Sequence, residues 1–175
     1  ERAKRAGFDG VELHAAHGYL ISSFISPVSN QREDAYGGSL ENRLRVITRI
    51  IDGISDRCGR DFALGFAVNA DEGTLGGNGL AEGIAICKIL EGTGKVDWLR
   101  ITARGQKPQM THYHYPSSYM SEGTHLYAAA EVKKNVAIPV VSGGRILTPQ
   151  FAEQALEDGK VDMDALRAAI AEAQP

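Results

Sequence analysis

Short apolar runs and amphipathic segments take turns along this chain, and that alternation limits its fold more than any other feature. Phe8 to Leu13, Phe62 to Val68, Val96 to Thr102 and Ile138 to Val141 read as strands. Ser39 is placed to N-cap a helix whose Leu40, Leu44, Ile47, Ile51 and Ile54 fall at helical spacing, with Gly59 beyond its end. Leu80 to Leu90 and Tyr127 to Asn135 read as further helices. Thr148 followed by Pro149, with Gly159 later, marks the start and stop of another. Glu1 to Ala6 reads as the last turn of a helix closed by Gly7, so a missing upstream segment is expected. Val161 to Leu166 is a final strand candidate weakened by Asp162 and Asp164. The order βαβαβαβα predicts an α/β fold with a parallel sheet. A length of 175 residues suits one domain, 1–175.

A formal charge of −3 gives no electrostatic reason to expect nucleic acid or an anionic membrane. No apolar run is long enough to span a bilayer, and no signal peptide opens the chain. Cys58 and Cys87 stand alone with no CxxC, as expected of reduced thiols in a cytoplasmic protein without a metal or redox role for either.

In parallel α/β folds the chemistry gathers where strands end, and three long loops follow strands here: Ala15 to Gly38, Asn69 to Gly79 and Ala103 to Thr124. His14 stands just before the first of these, and His17 and Tyr19 lie at its start. Two imidazoles and a phenol within six residues can bind an oxygen anion and supply a proton. Taken alone, a histidine at a strand end more often merely hydrogen-bonds backbone groups. A zinc site from Glu12, His14 and His17 is possible by ligand type. It is disfavoured because Glu12 should face away from Leu13 across the strand.

The run GFDGVELHAAHGYL from Gly7 to Leu20, followed by FISPVSNQREDAYGGSLENRLR from Phe24 to Arg45, closely resembles the signature of the Old Yellow Enzyme family of FMN-dependent NAD(P)H:flavin oxidoreductases. A looser resemblance continues through Asp61-Phe62, Asp71-Glu72, Val96-Asp97, Ile138 to Val141, Gly144-Arg145-Ile146 and Glu157 to Lys160. It implies a (β/α)8 barrel with FMN at its C-terminal mouth, of which this chain is the part from the fourth to the eighth strand, the first three βα units having no counterpart.

The resemblance also implies roles. His14 and His17 would hydrogen-bond the substrate oxygen, and Tyr19 would donate the proton. Gly143, Gly144 and Arg145 would hold the flavin phosphate, with Arg167 as the counterpart of a second phosphate element. Arg32, Asp34, Tyr36, Glu41, Asn42 and Arg43 would brace the long loop without taking part in chemistry. Ala67 departs from the pattern, since the family typically carries arginine there, beside the flavin N1–C2=O edge. Restoring arginine at 67 is therefore expected to tighten FMN binding. The loop bearing His112, Tyr113, His114, Tyr115 and Tyr119 has no assigned role.

The expected activity is reduction of an activated C=C bond in a small enone, enoate or dienoyl thioester, with NAD(P)H as reductant. A longer parent could add an iron–sulfur cluster and form a homo-oligomer. Two alternatives stand beside it: a non-catalytic barrel remnant without flavin, and a phosphate-binding barrel of other chemistry.

Overall fold

The computed structural model describes residues 1–103, 116 and 118–164. The elements in chain order are α1 (Arg2–Arg5), β1 (Gly10–Ala15), α2 (Leu20–Ile25), α3 (Leu40–Cys58), β2 (Ala63–Asn69), α4 (Leu80–Gly92), β3 (Trp98–Thr102), α5 (Leu126–Lys133), β4 (Val140–Ser142), α6 (Pro149–Glu157) and β5 (Met163–Asp164). The strands form one parallel sheet in the order β1-β2-β3-β4-β5. The order never reverses, and parallel crossovers are right-handed. All the connecting helices therefore lie on one side of the sheet.

Strand alternation then sorts the side chains. Leu64, Phe66, Val68, Leu99, Ile101 and Val140 face the helices, where Leu44, Ile47, Ile51, Ile86, Leu90, Ala129 and Val132 close the core. Phe66 is completely buried, and its burial alone stabilises the fold by roughly 2–3 kcal/mol. The opposite face carries Glu12 and His14 on β1, Gly65 and Ala67 on β2, and Trp98, Arg100 and Thr102 on β3.

The expected helices stand within two residues of their sequence-based limits. Ser39 caps α3 by accepting from the Asn42 N–H, and Thr148 caps α6 by accepting from Phe151. Two expectations change. The segment from Ala15 to Gly38 is not all loop, because Leu20–Ile25 form α2. Its Ile21 and Ile25 pack on the core, a tertiary contact that a single short turn does not reveal. Asp162 lies outside β5, where its carboxylate accepts from the Val140 N–H (2.8 Å) and pairs with Lys133. The acid that weakened the strand signal thus holds the start of the neighbouring strand. Asp97 does the same for the Leu64 N–H (2.7 Å). Leu166 lies outside the described residues.

Candidate functional site

The first long loop begins with a sharp reversal. Ala15 and Ala16 are buried, and their small side chains let the backbone turn inward at the strand end. His17 (φ 61°) and Gly18 (φ 75°) both take the left-handed conformation. For histidine this costs about 1–2 kcal/mol. It is held by a hydrogen bond of 3.1 Å between His17 Nε2 and Thr102 Oγ1, and by the Gly18 N–H donating to Ser22 Oγ (2.8 Å). The reversal gathers the three rings. The His14 centroid lies 5.0 Å from that of His17 and 5.3 Å from that of Tyr19. Tyr19 remains 59% exposed, at the rim.

A second group lies on the same face. Trp98 Nε1 donates to Glu12 Oε2 (3.0 Å), and Arg100 Nε donates to Glu12 Oε1 (2.7 Å). Both bonds run from β3 to β1 and must pass over β2. β2 permits this by being small: a Cβ at Gly65 would stand 1.9 Å from the Trp98 indole. Glu12 faces away from Leu13 as expected, which puts it on the face of His14, and its two oxygens are engaged by Trp98 and Arg100. Burial, and then the Arg100 charge, lowers the His14 pKa below its ordinary value, with Glu12 opposing. Burial and Arg100 both favour the neutral imidazole. In the full-length polypeptide we expect its NMR titration midpoint below 6.5, moving upward in Arg100→Met because a repelling cation is lost. A midpoint unmoved by that change would separate the two groups.

The Trp98-Arg100-Glu12 group escaped the sequence reading. Its signal was available in the alternation of Trp98, Arg100 and Thr102 with Leu99 and Ile101, which puts two large polar-tipped residues on one face.

Gly143, Gly144 and Arg145 follow β4 on the same sheet edge as the rings. Gly144 has φ 91°, and a Cβ there would stand 2.7 Å from the His125 ring. The Gly123 and Thr124 N–H groups donate to the carbonyls of Arg145 and Gly144 (both 3.1 Å), which fixes the turn. Arg145 is itself left-handed, at φ 59°. Its Nε is buried with no hydrogen-bond partner among the described residues. A partly buried guanidinium on a left-handed residue beside glycine backbone fits an anionic group such as a flavin phosphate. Arg167 and the residues His112, Tyr113, His114 and Tyr115 lie outside the described residues, and Tyr119 is 98% exposed.

Among the expected bracing residues Arg43 is the buried one, only 4% exposed. It donates to Asn78 Oδ1 (2.9 Å), Gly38 O (3.2 Å), Ile25 O and Glu82 Oε1 (3.1 Å). Arg32 pairs with Asp34, whose carboxylate also accepts from the Tyr36 N–H (3.0 Å). Asn30 Nδ2 donates to the carbonyls of Phe24 and Tyr36 (both 2.7 Å). Asn78 links this brace to Glu72, which also accepts from Ser26 Oγ (2.8 Å). Burial raises the Glu72 pKa above its ordinary value, against the pull of those donors. Ser26 and Asn78 had gone unnoticed, because their partners lie 46 and 6 residues away in sequence. A separate groove along α3, lined by residues such as Phe24, Val46, Ile50 and Ile54, includes none of the three rings.

Cys58 and Cys87 are both free and buried, and burial pushes the Cys87 thiol up to about 12. Among the described residues, no helix is long and apolar enough to cross a membrane.

Comparison with known proteins agrees with these features. The model of the NADH:flavin oxidoreductase / NADH oxidase family matches residues 1–174. An NADH oxidase of Thermoanaerobacter brockii is 46% identical over 165 residues, covering 94% of this chain and 25% of that protein. A cinnamate reductase of Clostridium sporogenes is 35% identical, covering 99% and 28%. The solved structure of a 2-naphthoyl-CoA reductase in complex with 2-naphthoyl-CoA superposes with a TM-score of 0.85 at 34% identity, over 94% of this chain and 25% of that one. The chain thus spans about a quarter of the length of these relatives. With the match running through nearly every residue, the chain belongs to the NADH:flavin oxidoreductase / NADH oxidase family, the Old Yellow Enzyme family that its signature resembles.

Proposed function

We propose that this chain is the fourth to eighth βα units of a (β/α)8 barrel in a cytoplasmic, FMN-dependent NAD(P)H oxidoreductase that reduces an activated C=C bond. The observation that carries this is the gathering of His14, His17 and Tyr19 at the C-terminal end of β1. A sheet whose order never reverses, with its helices on one side, supports the barrel.

When bound, FMN supplies the hydride. His14 and His17 hold the carbonyl oxygen of an enone, enoate or dienoyl thioester and stabilise the charge that grows there, more in the transition state than in the ground state. Tyr19 holds the proton for the α-carbon, where the placement of the phenol O–H decides the transfer. Gly143, Gly144 and Arg145 hold the phosphate. The relatives named above act on small molecules, cinnamate and 2-naphthoyl-CoA among their names. Their greater length leaves room for an iron–sulfur cluster outside this segment.

The test is an FMN titration of the full-length polypeptide, followed by flavin fluorescence and visible absorbance. Saturable binding is expected. Arg145→Ala should weaken it roughly tenfold to a hundredfold, the loss of about 1.5–3 kcal/mol for a charge-assisted hydrogen bond. Binding of inorganic phosphate without FMN would favour the phosphate-binding barrel, and binding of neither would favour the remnant.

A further inference from the structure

The departure at Ala67 has a counterpart on the next strand. Ala67 of β2 and Arg100 of β3 are Cα partners in the parallel ladder, on the face that carries His14. Paired strands lie about 4.8 Å apart. The Arg100 side chain does not stay above its own strand. It crosses β2 to reach Glu12 on β1, so the guanidinium returns over the Gly65–Ala67 step. Ala67 is completely buried, and Gly65 has no room for a Cβ beneath Trp98. The small residues of β2 are therefore the floor on which the β3 side chains lie.

Glu12 takes the Nε and Nη2 side of the guanidinium and leaves Nη1 outside the pair. Arg100 keeps about a third of its side chain exposed. Strand order also places it. A ligand anchored beside Arg145 after β4, and reaching the rings after β1, passes β3 and β2 on the way.

We propose that Arg100 supplies from β3 the cation that the family resemblance puts at position 67, with its guanidinium donating to the N1–C2=O edge of bound FMN. This rests on the flavin reading above. Ala67 is then the space through which Arg100 passes, not a lost function. The expectation that Ala67→Arg tightens FMN binding is reversed, because a second guanidinium would enter the same space with the same charge.

The test uses the full-length polypeptide, with FMN affinity read by fluorescence quenching and the flavin midpoint potential read by spectroelectrochemistry. Arg100→Met should weaken FMN binding at least tenfold and lower the potential, since a cation favours the anionic reduced ring. Arg100→Lys should hold the potential closer to that of the native protein than Arg100→Met does. Ala67→Arg alone should weaken binding, and the exchange Ala67→Arg/Arg100→Met should recover affinity to within about threefold of native. If Arg100→Met fails to fold, the exchange variant decides: native-like affinity supports the proposal and weak affinity overturns it. Native binding with Arg100→Met unchanged in affinity and potential overturns the role of Arg100 alone, as does tightening by Ala67→Arg. A native polypeptide that binds no FMN overturns the flavin reading and this proposal together.

Discussion

Replacing His14 and His17 together by alanine in the full-length polypeptide should slow enone reduction by at least about a thousandfold while leaving flavin content unchanged. Removing one donor from a site of developing oxyanion charge costs roughly 10²–10³ in rate. The two rings stand 5.0 Å apart at one strand end, close enough to share one oxygen between them. Neither belongs to the Gly143-Gly144-Arg145 turn, so the cofactor should remain. Rapid mixing of pre-reduced enzyme with an enone isolates the step. Reoxidation by the enone at the native rate in the double variant would remove both histidines from the chemistry.

Arg43→Ala should be strongly destabilising although it lies outside the apolar core. Four acceptors on four different segments depend on one side chain that is 4% exposed. All four would lose a charged donor, and the expected cost is about 3–5 kcal/mol. Arg43→Lys should recover little, since an ammonium cannot fork across acceptors so placed. Limited proteolysis makes the check: cleavage within residues 26–38 and 72–79 should rise first, before global unfolding. Native resistance in Arg43→Ala would mean that the loop is held by other contacts.

Much of this arrangement was legible beforehand because it is local. The helix from Ser39 to Gly59 announces itself by a capping serine, an apolar period and a terminal glycine, all within one segment. His14, His17 and Tyr19 are neighbours in sequence, so a single turn suffices to bring them together. Gly143-Gly144-Arg145 is likewise one turn after one strand. What stayed hidden is non-local. Arg100 and Glu12 are 88 residues apart, and nothing in either segment points to the other until β2 is laid between them. The Thr102 partner of His17 is 85 residues away. Glu72 reads as an ordinary loop acid, and only its enclosure by Ser26 and Asn78 makes it a buried hub.

Ala67 shows the division most sharply. In the linear pattern it is a missing arginine. In the folded sheet it is the small residue that lets an arginine from the next strand cross over it. Periodicity, caps and adjacent ring residues act over a few positions and carry their meaning in the linear order. Strand order, register and the reach of side chains across a neighbouring strand arise only when distant segments pair, and on those depend the charge beside His14 and the brace around Arg43.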